Sequence, residues 1–215
     1  MFNNLGDADQ GLKGMQKAIR RIHPNAGGGG DGAHSGSGAY SLLLGAGSSF
    51  ADASGDYAVA LGPDAIASDF HATAVGFGAE ATADHATAVG FGASASANYS
   101  SGFGRNAAAS GAYSSAIGSG AAASGSGASA VGAESIAAHD NSTALGNSAE
   151  TTADDQVMLG ADWQSVVVPG TFQVSSTPPA SSSAAGVAGQ FTWASGYLYI
   201  CVSANSWRRV ALSTF

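Results

Sequence analysis

A bulky apolar residue followed by glycine recurs at every fourteenth position through the middle of the chain. A ninth pair, Leu44-Gly45, lies 17 positions before the first of the regular ones, which predicts a short insertion of three in a turn of the first repeat. A strict period of this length is the signature of a stacked repeat, in which each short unit packs on its neighbours. The repeat therefore predicts the fold of half the chain and argues against an enzyme. The eight regular pairs are Leu61-Gly62, Val75-Gly76, Val89-Gly90, Phe103-Gly104, Ile117-Gly118, Val131-Gly132, Leu145-Gly146 and Leu159-Gly160.

Small residues dominate the composition of this 215-residue chain, which contains 32 glycines and only seven basic and fifteen acidic side chains. So few charges argue against charge-rich disorder, and so many small residues argue against an ordinary globular core. Glycine does not recur at every third position, which excludes collagen. The remaining possibility is a regular backbone architecture in which Ala and Gly pack closely.

The charge distribution and the single cysteine exclude several kinds of partner and site. The net charge is −8, and four of the seven basic residues lie within 13–21, so nucleic acid is not an expected partner of the acidic remainder. Cys201 is the only cysteine, so we expect no disulfide framework, no metal cluster and no cofactor. No apolar run reaches the length of a membrane span, and residues 1–7 lack the pattern of a secretory signal. We therefore expect a protein made in the cytoplasm without an export tag or membrane insertion.

Shifts in composition divide the chain into four regions. Residues 1–24 are predicted to form a short amphipathic helix, which Pro24 ends. Residues 25–39 form a Gly-rich linker, residues 40–162 hold the repeats, and residues 163–215 lose the period and gain aromatic residues, which predicts a separate β-rich module. The apolar stripe of the helix, a candidate anchor, consists of Leu12, Met15, Ile19 and Ile22.

The pattern inside one repeat predicts two short strands. In residues 71–84, side chains of two kinds alternate on both sides of a corner at Phe77-Gly78. Such coils, each one turn of the chain, are expected to stack into two parallel sheets with a rise of about 4.8 Å per coil. Two columns of small residues, which begin at Ala65 and Ala67, are expected to face each other in a flat interior. The columns that begin at Ile66 and Ser68 are expected to face water.

The large apolar residues of the periodic pairs point away from that interior. A stripe of this length exceeds what soluble monomers expose, and burial of one such side chain stabilises by about 1.5–3 kcal/mol. So short a coil is too narrow to cover the stripe with its own chain, and the roll is therefore predicted to be an obligate oligomer. Its predicted core, hereafter the apolar column, is Leu61, Val75, Val89, Phe103, Ile117, Val131, Leu145 and Leu159.

The repeats resemble the head repeats of trimeric autotransporter adhesins. The segments 141–146 (Asn-Ser-Thr-Ala-Leu-Gly) and 113–118 (Tyr-Ser-Ser-Ala-Ile-Gly) match the family pattern closely, and the resemblance covers residues 57–162. It implies an all-β fold, a left-handed parallel β-roll assembled as a homotrimer with the apolar column at the three-fold axis. The signal peptide, membrane-anchor barrel and long stalk expected of such adhesins are not recognised in this sequence.

The C-terminal region resembles the ends of phage tail fibres instead. Residues 166–174 are similar to the short strand-turn-strand that follows such rolls, and residues 177–209 are similar to the terminal β-module of those fibres. The resemblance implies that residues 163–215 cap the trimer. Trp193 and Trp207 are interpreted as core residues of the module, with a receptor-binding patch as the alternative. The candidate receptor contacts are Trp193, Tyr197, Tyr199, Trp207 and Arg208.

Two further columns carry aromatic or titratable residues at the coil starts. The first is interpreted as a stacked ladder, in preference to a sugar-binding strip or a metal site, because its two histidines lack a third ligand. It contains Tyr57, His71, His85, Tyr99 and Tyr113. The second is interpreted as turn capping, and no catalytic residue is assigned because no acidic pair suits a glycosidase. It contains Asp56, Asp84, Asp140 and Asp154.

Together these features predict a non-enzymatic, homotrimeric fibre or spike on the virion of a tailed phage, which mediates host attachment. The expected partners are other copies of the chain, other virion proteins bound through the N-terminal residues, and a glycan or protein of the host surface. Two alternatives stay open: a bacterial surface adhesin of the autotransporter type, and a tailspike depolymerase.

Overall fold

The computed structural model describes residues 38–44, 51–170 and 177–213, which fall into two units that meet between Val166 and Val167. The described part of the chain is all-β, without a helix. The predicted helix 1–24 and nearly all of the predicted linker lie outside the described residues. The strands of the first unit are β1 (Leu42–Leu44), β2 (Val59–Leu61), β3 (Ile66–Ala67), β4 (Thr73–Val75), β5 (Glu80–Ala81), β6 (Thr87–Val89), β7 (Ser94–Ala95), β8 (Ser101–Phe103), β9 (Ala108–Ala109), β10 (Ser115–Ile117), β11 (Ala122–Ala123), β12 (Ser129–Val131), β13 (Ile136–Ala137), β14 (Thr143–Leu145) and β15 (Val157–Leu159).

Each regular coil contributes one strand to each of two parallel sheets, as the alternation of side chains predicts. A nine-stranded sheet runs from β1 through β2 and the even-numbered strands to β15, and a six-stranded sheet runs from β3 to β13. The register advances by one full repeat, so that Val75 lies beside both Leu61 and Val89. Every column of the sequence is therefore a column in space, and the predicted parallel β-roll is confirmed.

The interior is lined by four columns of small residues. The columns that begin at Ala65 and Ala67 are buried as predicted, but they lie side by side on one wall and do not face each other. The opposite wall consists of the columns that begin at Ala58 and Ala60, which belong to the nine-stranded sheet. The expectation that the first two columns face each other is wrong because residues two apart on a strand point to the same side.

The periodic glycines stand where two successive coils approach most closely. Gly76 has φ of +134°, and a Cβ atom on it would overlap the carbonyl group of Gly90 in the next coil. Both the backbone conformation and the lack of space require glycine there. The glycine of the repeat thus sets the tight spacing of the coils.

The two ends of the roll depart from the period. Leu44 pairs with Leu61 at a sequence separation of 17, whereas Asp52 pairs with Ile66 at the regular separation of 14. The insertion of three in the first repeat therefore lies between Leu44 and Ala51, as predicted. At the other end, the Gln164 side chain packs on Gly160, the last of the periodic glycines, and accepts a hydrogen bond from the backbone N–H of Ala161 at 2.9 Å.

The second unit contains a three-stranded antiparallel sheet of β16 (Phe191–Ala194), β17 (Tyr197–Ser203) and β18 (Ser206–Ala211). The β-rich character expected of residues 163–215 is present there. Of the strand-turn-strand expected for residues 166–174, the first strand is not formed, since residues 166–170 contain no strand; the second strand lies outside the described residues. Val167 is 80% exposed, and Pro169 has no N–H to donate to a neighbouring strand, both of which disfavour strand pairing here.

Candidate interaction surfaces

The apolar column runs along the outer face of the nine-stranded sheet. All eight of its side chains point away from the alanine-lined interior, and none is buried. Phe103, Ile117, Leu145 and Leu159 are each between 41% and 47% exposed. In a single chain the column is therefore a continuous apolar surface, of a size that marks an interface.

The outer face of the six-stranded sheet has a different chemistry. Its column from Ile66 to Glu150 mixes apolar, hydroxyl and acidic side chains, and the next column holds exposed hydroxyl groups such as those of Ser68 and Thr82. This confirms that the two columns face water. The contrast between the two outer faces places the candidate self-association surface on the nine-stranded sheet alone.

One corner of the roll carries a ladder of aromatic and histidine rings, one from each coil, in contact with each other. Neighbouring ring centroids lie between 4.8 and 5.2 Å apart, which matches the rise of one coil. Phe70, which the sequence pattern did not single out, stacks on His71 with centroids 4.0 Å apart. The rings are nearly parallel in three of the five contacts, whereas His71 meets both Tyr57 and His85 edge to face, so the predicted ladder is confirmed as a column of ring contacts that is stacked only in part. Its members in order are Tyr40, Tyr57, His71, His85, Tyr99 and Tyr113.

The aspartates near the coil starts hold backbone groups of neighbouring coils. The Asp140 carboxylate accepts a hydrogen bond from the Ser126 N–H at 2.8 Å, and Asp154 accepts one from the Asp140 N–H at 3.1 Å. Asp56 accepts one from the Ala39 N–H at 2.7 Å. These contacts confirm turn capping for the three residues, which leaves their carboxylates committed to the fold.

The sheet of the second unit has one covered face and one open face. The covered face carries Cys201 and Thr192, both buried, and the Trp207 indole, which packs on Gly186 and donates a hydrogen bond to the Ala184 carbonyl at 3.1 Å. Residues 182–190 lie over this face and bond to its edges. A depression of about 510 Å³ lies beside Trp207 and is otherwise lined by residues from the segment 177–192.

The open face of that sheet is apolar. Cross-strand partners on it are Trp193, Leu198 and Val210, followed by Phe191, Ile200 and Arg208. Trp193 is 52% exposed, whereas Trp207 is half-buried on the other face. Alternating side chains within β16 and within β18 indicated which residues of each strand share a face. The register between the strands, which the sequence pattern did not supply, was also needed to decide which of these residues come together.

The predicted receptor contacts are thus divided between two faces. Trp193 and Arg208 lie on the open face, and Tyr197, Tyr199 and Trp207 lie on the other. Tyr197 also packs under the Arg209 guanidinium, whose carbon lies 4.5 Å from the ring centroid. The five residues do not form one patch.

The described residues provide neither a metal site nor a membrane-spanning helix. The described residues contain no group of three or more His, Cys, Asp or Glu side chains arranged to hold a metal ion. None of them forms a helix with the length and hydropathy required to cross a membrane.

Comparisons with known proteins identify the repeats. A family model described as the YadA head domain repeat matches residues 53–79, 70–93, 95–121 and 123–149. The capsule K30/K69-specific depolymerase 1 of Klebsiella phage K5-2 is 59% identical over 39 residues, which are 18% of this chain and 5% of that protein. The crystal structure of the collagen-binding domain of the Yersinia adhesin YadA is 24% identical, with a TM-score of 0.42, over 59% of this chain and 77% of that one. The matched segments lie within the coils that pair at a constant separation of 14 residues. Residues 53–149 are therefore β-roll head repeats of the type found in trimeric autotransporter adhesins.

Proposed function

We propose that the chain is a non-enzymatic, homotrimeric fibre or spike on the virion of a tailed phage, where it serves in host attachment. The observation that carries the proposal is the apolar column, exposed along the whole roll of a single chain. A roll with this surface requires partner chains, and a rigid multi-chain rod suits a fibre shaft.

Self-association follows from the area and continuity of the column. Each coil adds one large apolar side chain at the same place, so that the surface grows with the roll and has no polar interruption. Three identical columns around a three-fold axis bury one another symmetrically, as closed homo-oligomers do. The number three is supported by the head-repeat type of residues 53–149.

The phage assignment rests on two supports. The 39-residue match is to a protein named as a phage depolymerase, although the chain covers only 5% of that protein. The sequence of residues 177–209 also resembles the terminal module of phage fibres. In this proposal residues 1–24 attach the fibre to other virion proteins, and residues 163–215 cap the trimer and contact the host surface.

Immunogold imaging of intact virions with an antibody against residues 51–170 tests the phage assignment. We expect label on the particle, at the tail, baseplate or capsid. Label in the cell envelope of an uninfected bacterium would instead support the surface adhesin.

A second candidate function is the tailspike depolymerase, which the name of the matched phage protein favours. Incubation of the trimer with purified capsular polysaccharide distinguishes it. Release of new reducing ends would overturn the non-enzymatic proposal, and a constant polymer length would support it.

A further inference from the structure

The aromatic ladder stops at a glycine, and this leaves the face of one ring open. The residue one coil beyond Tyr113 is Gly127, which keeps the same left-handed backbone, with φ of +67° against +59° for Tyr113. Its N–H still donates to the Ala112 carbonyl at 2.8 Å, so the coil itself is regular. Only the side chain of this rung is missing.

Exposure reflects the missing ring. Tyr99 is stacked against Tyr113 with parallel rings, centroids 5.0 Å apart, and is 45% exposed. Tyr113 is 66% exposed. The difference fits a ring with one face against Tyr99 and the other face open above Gly127.

Polar groups lie on the far side of Gly127. The Asn141 amide oxygen would lie 3.0 Å from a Cβ atom on Gly127, and its Nδ2 donates to the Asp155 carboxylate at 3.2 Å. Ser126 is exposed beside the glycine. The space above Gly127 is therefore bounded by a flat apolar ring on one side and by hydrogen-bonding groups on the other.

We propose that Tyr113, Gly127 and Asn141 form a binding site for a neutral pyranose sugar, hereafter the open rung. The backbones of Tyr113 and Asn141 are two coil rises apart, about 9.6 Å, and the missing ring between them leaves room for one flat six-membered ring against the tyrosine, with the Asn141 amide oxygen at its edge. The axial C–H bonds of a pyranose form an apolar face that suits the negative face of an aromatic ring. Its equatorial hydroxyl groups reach the Asn141 oxygen and Ser126.

The local charge selects among flat ligands. Asp140 and Asp154 lie in the adjoining column, Asp155 lies in the column of Tyr113 itself, two coils beyond Gly127, and the chain as a whole carries −8. Nucleotides and anionic sugars would be repelled from this corner. A neutral hexose carries no such penalty, and it uses the acceptors that the rim supplies.

The site is independent of the proposed virion role and of the C-terminal module. A single platform predicts weak binding of a monosaccharide, with repeated weak contacts in a polymer or an oligomer adding avidity. Three copies in a trimer would present three such sites.

Saturation-transfer difference NMR on the full-length protein tests the proposal, with methyl β-D-glucopyranoside, methyl β-D-galactopyranoside and N-acetylglucosamine as probes. We expect signals strongest at the axial protons of at least one probe. Tyr113→Ala removes the platform and should reduce the signal about tenfold, whereas Tyr113→Phe keeps the ring and should retain it.

Gly127 offers a matched pair of variants. Gly127→Tyr places a ring in the open rung, at a position whose backbone conformation is that of Tyr57, Tyr99 and Tyr113, and should abolish the signal while the roll stays folded, with the Asn141 amide turned aside from the new Cβ. Gly127→Ala introduces the same backbone change without a ring; its Cβ lies 3.0 Å from the Asn141 amide oxygen, which must move slightly, so this variant should weaken the signal far less than Gly127→Tyr does. The proposal is overturned if wild type gives no signal with any probe or if Gly127→Tyr binds like wild type. Choline, whose quaternary ammonium can bind an aromatic face without the polar rim, serves as a further probe, and binding of choline in place of the sugars would also overturn the proposal.

Discussion

The Nδ1 atom of His71 lies 3.0 Å from the Nε2 atom of His85, one coil further along the roll. The other nitrogen of His85 lies 2.8 Å from the Asp84 carboxylate, so a chain of hydrogen bonds links side chains of two successive coils. The same rings also belong to the aromatic ladder. This pair of side chains thus holds neighbouring coils together both by an edge-to-face ring contact and by a hydrogen bond.

Replacement of His85 tests the ladder. His85→Ala removes the hydrogen bond to His71 and the stacking on Tyr99, and should lower the stability by about 1 kcal/mol per chain. His85→Tyr keeps the stacking, as Tyr57 and Tyr113 do in their coils, and should cost less. Thermal denaturation followed by circular dichroism compares the two. Equal melting temperatures for His85→Ala and wild type would contradict a stabilising ladder.

The glycine at the close approach of the coils can be compared with Gly78, its near neighbour in the same turn. Gly76→Ala should destabilise by about 2–3 kcal/mol, because the new Cβ overlaps the Gly90 carbonyl group and the backbone there has φ of +134°. Gly78→Asn should be nearly neutral, because its Cβ meets nothing within 4 Å and φ is +61°, which asparagine accepts. Urea denaturation measures both. Tolerance of Gly76→Ala would refute the steric account of the repeat.

The role of the apolar column in assembly is tested by placing a charged side chain in it. Val89→Asp and Val131→Asp each place a carboxylate where the proposed trimer is dry, and should prevent assembly, since a buried charge without a partner is strongly destabilising. Ser94→Asp is the matched control, because its column on the other sheet already holds Glu80 and Glu150. Multi-angle light scattering should give three chains per particle for wild type and the control. A folded wild-type monomer would disprove the proposed oligomer.

The proposed anchor is tested by truncation. Deletion of residues 1–24 removes the stripe that contains Leu12 and Ile22, and should leave a soluble, folded trimer that no longer enters virions. Light scattering of the purified variant and immunoblots of purified particles measure the two properties. Normal incorporation of the truncated chain would move the anchor elsewhere, with residues 163–215 as the next candidate.

Host contact by the C-terminal module is tested on its open face. Trp193→Ala and Arg208→Ala alter exposed side chains and should reduce adsorption to host cells, whereas Glu80→Ala on the roll should not. Trp207 is less suitable, because truncation of its half-buried ring removes packing against Gly186 and the bond to Ala184. Adsorption at the wild-type level by folded Trp193 and Arg208 variants would leave the module as a cap only.

The roll was predictable from the sequence because its contacts are local and repeat. Once the period is known, each residue has its spatial neighbour one repeat away, and burial follows from side-chain size and alternation. The arrangement of the two walls was not predictable in the same way, since it depends on which residues lie across the interior. Phe70 illustrates a second limit: it occupies the column of Asp84 and Asp140, yet it stacks into the ladder of the next column.

The C-terminal module lacks such a period, and its prediction was correspondingly weaker. Aromatic residues near position 200 indicated a β-rich unit, but not which of them share a face. That depends on strand register, which pairs Trp193 with Leu198 and Cys201 with Trp207. The sequence pattern grouped Trp193 and Trp207 together, and the register separates them.

The repetitive interior of the roll, lined mostly by alanine, affects how such a chain can change in evolution. Each coil buries nearly the same small side chains against nearly identical neighbours, so gain or loss of one whole coil leaves the packing of the remaining coils unaltered. Length is therefore adjustable in steps of about 4.8 Å without redesign of the core. An insertion of another size shifts the pairing register, as the separation of 17 between Leu44 and Leu61 shows beside that of 14 between Asp52 and Ile66. Duplication or deletion of whole coils can therefore change the length of the roll without changing the residues that bind a partner.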